Sequence, residues 1–212
     1  MHKVSLAFLV LGMISQAVQA DDMDERFIQQ VYAQGGRTLY CQEDFQAGDR
    51  IAVEHVYTER NLRNHLNCSS ARSCEQNADY VKMRADMHNM FPVTRHAELD
   101  RRRTLFGELP DSENSDADCG YKLSFQSFEP PDHAKGNVAR AMLYMYDHYD
   151  LPLIGTLQMY QQWNRLDPVD DAERQRNARI KTIQGNSNPF IDDPKKADTL
   201  KSRSPVSLQF PG

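Results

Sequence analysis

The chain has 212 residues, with 25 Lys and Arg against 30 Asp and Glu, for a formal net charge of −5. It is 40% hydrophobic and 26% charged, which excludes a wholly disordered chain and fits one soluble domain, or two small ones at most. The acidic sum excludes a general basic coat for nucleic acid.

Residues 1–20 read as a secretory signal peptide. Lys3 opens it, Val4 to Val18 is almost wholly apolar or small, and it closes Ala17-Val18-Gln19-Ala20 before Asp21 and Asp22. The apolar run is shorter than the ~20 residues that a membrane span needs. An exported chain without a membrane anchor is expected once the signal is cut. In an oxidising compartment the four cysteines, Cys41, Cys68, Cys74 and Cys119, form two disulfides. Of three possible pairings, Cys68–Cys74 and Cys41–Cys119 are expected. A structural zinc site is disfavoured, because no Cys-x-x-Cys pair is present.

The apolar spacing of Phe27, Ile28, Val31 and Tyr32 predicts a helix over 24–34. Strands are expected at Thr38–Cys41 and Ile51–Tyr57. Asn77 can cap a helix from Ala78 to about His88, with Tyr80, Met83 and Met87 on one stripe. Pro92 discourages continuation, and Thr94 can cap a short helix over Arg95–Arg103. Residues 107–120 are acidic, polar and Gly-containing, so a loop is expected. Leu123 and Phe125 alternate with polar neighbours, which suggests a strand. Pro130 and Pro131 open a long helix to about Tyr149, with Val138, Met142 and Met145 inward. Further helices are expected over Leu153–Asn164 and after Asp167. The latter runs from acidic residues to basic ones, which suits the helix dipole. Residues 191–212 hold three prolines and few apolar residues, so a mobile polar tail is expected.

No H-E-x-x-H, G-x-S-x-G, P-loop or dinucleotide glycine pattern occurs. What remains is a His and carboxylate set between residues 54 and 103. Glu54 and His55 are adjacent in a strand, so they point to opposite faces unless the strand bends or ends there. Read alone, the pair describes a half-buried histidine beside a surface glutamate. Asp86-Met87-His88-Asn89 reads as a helix C-terminus, with Asn89 as a cap. Glu98 and Arg101 lie three apart on one helix face, which alone describes an ordinary ion pair.

Taken in order, these residues resemble the bacterial endonuclease I family of exported, non-specific nucleases, over roughly residues 38–190. The likeness is carried by Glu54-His55-Val56, by Cys68, Arg72 and Cys74, and by Tyr80, Lys82-Met83 and Asp86-Met87-His88-Asn89-Met90-x-Pro92. Asp100-Arg101, Phe128-Glu129-Pro130-Pro131, Gly136, Ala139-Arg140, Trp163-Asn164 and Gln184-Gly185-Asn186-x-Asn188-Pro189-Phe190 extend it. The resemblance implies a mostly helical α+β fold, a single domain over 21–190 with a ββα-metal (His-Me finger) core. It implies a Mg²⁺-dependent endonuclease acting on DNA, with RNA as a further substrate, Ca²⁺ or Mn²⁺ as substitutes, and 5′-phosphate products. A monomer is expected.

By the same resemblance His55 is the general base, Glu54 a metal ligand and Arg72 a phosphate contact. Asn89, Arg101 and Arg103 are the expected substrate contacts. Two departures stand out. Glu98 occupies the position where the family carries a metal-binding Asn, and Glu is also a hard oxygen donor. Arg84 stands where relatives carry an acid, so an Arg84–Glu98 pair is conceivable. These changes, with Arg103 in place of Asn, motivate a rival reading: a catalytically weakened nucleic-acid-binding protein on the same scaffold. The charge is also uneven. Residues 54–103 hold 9 basic and 7 acidic residues, whereas 104–170 hold 4 and 11.

Overall fold

The computed structural model describes residues 20–111, 115, 116 and 118–203. The expected signal peptide lies outside them, except Ala20. A first helix, α1 (Ala20–Val31), leads into a two-stranded ribbon of β1 (Gly36–Arg37) and β2 (Asp44–Phe45). Phe27 and Val31 are fully buried on the inner face of α1, as its periodicity requires.

The centre of the molecule is an antiparallel pair followed by a helix. β3 (Ala52–His55) pairs with β4 (Met90–Val93) in the register Ala52↔Val93, Val53↔Pro92, Glu54↔Phe91 and His55↔Met90. Pro92 has no N–H to give to a ladder, so it suits a strand of such a small sheet. Its carbonyl accepts from the Leu39 N–H at 2.8 Å, which ties residues 38–41 to the back of β4. Thr94 then caps α5 (Arg95–Arg101), its hydroxyl accepting from the Ala97 N–H.

Three short helices fill the excursion between β3 and β4: α2 (Glu59–His65), α3 (Ala71–Glu75) and α4 (Ala78–Arg84). Ser70 and Ser73 form a reciprocal capping box on α3. Asp86 caps a single 3-10 turn, Met87–Asn89. A third sheet places β7 (Ser127–Glu129) between β5 (Leu105–Phe106), parallel, and β6 (Lys122–Leu123), antiparallel.

The long helix α6 (Asp132–His148) is buried on most sides and packs chiefly on α7 (Leu157–Leu166). A Cβ on Gly136 would lie 2.0 Å from the Asp167 carbonyl oxygen, so only glycine permits this approach of α6 to the end of α7. Arg140 is 1% exposed but fully partnered. It donates twice to Glu173, at 2.7 and 2.6 Å, and also to Asn164 Oδ1 and the Asp167 carbonyl. Buried charge persists only with such pairing. Glu173 belongs to α8 (Asp171–Gln184), which ends at Gly185 in the left-handed conformation, φ 92°. The protein is thus a single, mostly helical α+β domain with three small sheets. Among the described residues no helix is long and apolar enough to cross a membrane. Both expected disulfides, Cys41–Cys119 and Cys68–Cys74, are formed.

Several expectations are corrected. Residues 38–41 are a bend rather than a strand, because Thr38 bonds back to Glu43 and Gln42 takes a positive φ of 55°. The helix expected to reach His88 stops at Arg84, where Asp86 starts the separate turn. Phe125 is not in a strand: it is 95% exposed in the turn between β6 and β7. The polar tail does not begin at residue 191. Asn188 caps α9 (Pro189–Asp192), and α10 (Lys196–Thr199) follows, with Phe190, Ile191 and Ala197 buried. Tyr146 holds the Lys201 carbonyl at 3.1 Å. Few apolar residues suffice there, because side-chain bonds to backbone carbonyls secure the segment. Residues 204–212 lie outside the described residues.

Candidate active site

β3 ends at His55, and the sequence supplies the reason. Beyond it, the Val56 N–H bonds to the Asn89 carbonyl at 3.0 Å. The Asn89 side chain then replaces the ladder: its Oδ1 accepts from the Tyr57 N–H at 2.7 Å and its Nδ2 donates to the Tyr57 carbonyl at 3.0 Å. Asn89 is completely buried. It is therefore a clamp on the strand end, not the substrate contact expected of it. The strand end is also what lets two adjacent residues serve one place.

Glu54 is 4% exposed and lies 3.2 Å from the Arg101 Nε. The approach is off-axis, so the pair is ionic without a well-aligned hydrogen bond, and Glu54 Oε1 keeps no hydrogen-bond partner. Burial pushes the Glu54 carboxyl up to about 7, against the pull of Arg101 and His55, and Glu98 adds to the upward push. Arg101 is 2% exposed. It donates to the Thr104 and Val56 carbonyls at 2.7 and 3.2 Å, and its guanidinium lies 3.6 Å from the centre of the Phe106 ring. Arg101 is thus a buried partner of Glu54, and its expected role as a substrate contact is corrected.

The His55 side chain is 8% exposed. Its Nε2 lies 3.1 Å from Asp24 Oδ1, on α1, while its Nδ1 is buried without a partner. With a carboxylate accepting at Nε2, the neutral ring carries its proton there and leaves the Nδ1 lone pair open. Arg84 stands behind Asp24 at 3.8 Å and donates to Glu59 Oε1 at 2.6 Å. Burial pushes the Glu59 carboxyl up, but Arg84, His55 and Arg63 outweigh it and hold the group below its usual value. Arg84 does not pair with Glu98.

Glu98 sits on α5 with its side chain 18% exposed. Arg95 and Arg102 both donate to its Oε2, at 2.9 and 3.1 Å. Arg72 is exposed on α3, and Arg103 is exposed just past the end of α5. A cleft of about 880 Å³ opens between α1, the loop before β3 and α5, with Asp24, Val53 and Glu98 among its walls.

Among the described residues no group of three or more His, Cys, Asp or Glu is arranged to hold a metal. Glu54 and Glu98 supply two hard oxygen donors, and Glu54 Oε1, although 3.2 Å from the Arg101 Nε, accepts no hydrogen bond. Mg²⁺ commonly keeps several waters and takes only one or two protein carboxylates, so these residues fit it. Asp24 was not found by sequence reasoning, and Arg84 was singled out there but matched with Glu98 instead of Asp24 and Glu59. Asp24 is 31 positions from His55, and no local pattern links them.

The order β3, β4, α5, with Glu54 and His55 on the first strand and Glu98 on the helix, is the arrangement that the resemblance implied. The chain matches the family described as Endonuclease I over residues 13–195. It belongs to that family. Among its endonuclease I relatives, it is 35% identical over 150 residues to a periplasmic deoxyribonuclease of Aeromonas hydrophila, covering 68% of this chain and 63% of that one. It is 32% identical over 154 residues to an extracellular deoxyribonuclease of the same species, covering 69% and 67%. An extracellular ribonuclease of Bacillus amyloliquefaciens is 38% identical over 93 residues, covering 35% and 32%. The chain thus spans about two-thirds or less of the length of these curated relatives.

Proposed function

We propose that this endonuclease I family member is an exported, monomeric, Mg²⁺-dependent and sequence-non-specific endonuclease that hydrolyses DNA to 5′-phosphate ends. The observation that carries the reading is the His55 ring at the end of β3, with Asp24 on one nitrogen and the other nitrogen buried without a partner, next in sequence to Glu54, whose carboxyl is within reach of its charge. A buried polar atom left open in this way is suited to a bound water. Export is supported by the two disulfides and by the periplasmic and extracellular relatives.

In this reading His55 Nδ1 takes a proton from water as the water oxygen attacks phosphorus. The phosphorus–3′-oxygen bond breaks, and the leaving oxygen is protonated from solvent. Asp24 holds the ring in the required tautomer and steadies the positive charge that forms on it. Glu54 and Glu98 would hold Mg²⁺, or Mn²⁺ or Ca²⁺ in its place. Bound there, a divalent cation supplies charge relief at the phosphoryl oxygens. Arg101 keeps Glu54 oriented from behind. Arg72, exposed on the disulfide-closed loop, and Arg103 are free to meet phosphates.

The test is nicking of supercoiled plasmid by the oxidised protein, with and without EDTA. Nicking that EDTA abolishes is expected, and His55→Ala should slow it by on the order of 10²-fold or more. A His55→Ala protein that nicks as fast as wild type sinks the assignment. A second reading has its own motive, since two arginines already occupy Glu98 Oε2. A protein that retains plasmid without nicking it at any metal concentration is the weakened binder instead. The likeness to an extracellular ribonuclease makes RNA the second substrate to assay.

A further inference from the structure

Phe125 is 95% exposed, whereas the other exposed large hydrophobic residues among those described lie between 37% and 60%. Burying a phenylalanine ordinarily stabilises a protein, and this ring forgoes that gain. It is not on a loose loop. The Ser124 N–H bonds to the Ser127 carbonyl at 2.9 Å, and the Ser127 N–H bonds to Ser124 Oγ at 3.1 Å. These bonds close a tight turn that holds Phe125 outward. Across from it stand Arg102 and Arg103, at the end of α5, and the two sides enclose a groove of about 360 Å³ floored by Leu99 and Leu123. Arg103 has no ion pair among the described residues, and Arg102 is bonded to Glu98. The one acid on the wall, Asp100, already accepts from the Tyr121 hydroxyl at 2.7 Å.

We propose that this groove is a subsite for one unpaired nucleotide of the substrate strand, its base stacked on Phe125 and its flanking phosphate met by Arg103. The inference rests on the nuclease reading and adds a strand-binding position to it. An exposed aromatic beside arginines is the composition of a single-strand platform, because every base has a stacking face and every step has a phosphate. The groove is linked to the proposed centre through Arg102, which donates to Glu98 at 3.1 Å. Glu98 and Arg102 are four residues apart on α5, about 6 Å along its axis, which is about two base steps of 3.4 Å. The groove is far too small for a duplex.

The experiment measures fluorescence anisotropy of labelled single-stranded oligothymidylate on the full oxidised protein, in EDTA so that no cutting occurs. Phe125→Ala should weaken binding about tenfold. Phe125→Trp should restore it, and Leu166→Ala, which removes an exposed apolar side chain elsewhere, should leave it unchanged. Arg103→Ala should weaken binding and lower the salt slope by about one. A Phe125→Ala protein that binds within twofold of wild type overturns the subsite, even where wild type cuts plasmid well. Phe125-dependent binding by a protein that never nicks supports the subsite and overturns the nuclease reading instead.

Discussion

At the scale of single residues, the site is set by which atoms have partners. His55 has one nitrogen bonded to Asp24 and the other open. Asp24→Asn keeps the shape of the side chain but removes the charge and the certain acceptor at Nε2. It should lower kcat by about 10- to 10²-fold with little change in KM, as loss of ring orientation does. A rise in KM alone would make Asp24 a binding residue. Arg101 and Asn89 show the reverse arrangement. Their side chains are buried and bonded inside the protein, so their place in the family pattern reflects support for Glu54 and for the strand end.

At the scale of elements, the unit that matters is β3, β4 and α5, and a single side chain fixes where β3 stops. Asn89→Ala strips partners from the buried N–H and C=O of Tyr57, which its side chain now serves. Unmade buried bonds of this kind cost about 1–3 kcal/mol each. Denaturant unfolding should show a loss of about 2–6 kcal/mol for the two together, and a loss under about 0.5 kcal/mol would mean that water replaces the clamp. Much of this layer was legible beforehand. Asn77 and Thr94 carry local signals, since a capping side chain and the N–H groups it meets are only two or three residues apart, whereas Asp86 caps a turn that the sequence pattern merges into the preceding helix. β4 had no such signal. Met90-Phe91-Pro92-Val93 is a uniformly buried strand without alternation, and its proline reads as a stop. Residues 38–41 look extended by composition, yet the Thr38–Glu43 bond and the positive φ of Gln42 turn the chain, and a bond to Pro92, more than fifty positions away, ties the turn to β4. The site residues Glu54, His55 and Glu98 were named by resemblance. Asp24 was not, because its contact is long-range.

At the scale of the whole molecule, buried polar groups join the helices across the core. Asp86 is the main hub. It accepts from the hydroxyls of Tyr144 and Tyr149, both at 2.7 Å, from the His88 N–H and from Gln184 Nε2. His88 lies beside it, completely buried, with its Nε2 3.0 Å from the Asn186 carbonyl. Burial depresses the His88 pKa to about 4. In the unfolded chain the group titrates near 6.5, so between these values the unfolded state binds the extra proton. Stability is then full above about pH 6.5 and declines as pH falls towards 4. Melting temperature should drop through that window, and His88→Gln, which keeps an N–H for Asn186, should flatten the decline. An unchanged slope in His88→Gln would assign the acid sensitivity to other groups.

The Cys41–Cys119 bridge joins positions 78 apart in sequence. In the chain-entropy account, such a bond acts on the unfolded ensemble by denying it most of its extended states. Its main consequence therefore lies in the moments when the fold opens. A chain that has lost its packing still keeps the segment behind β4 looped against the segment before β6, so it has less conformational space to search before closing again. Proteases attack the open form of a protein in proportion to its population. The bridge therefore shortens each exposure and lengthens service life, without adding a contact to the folded site.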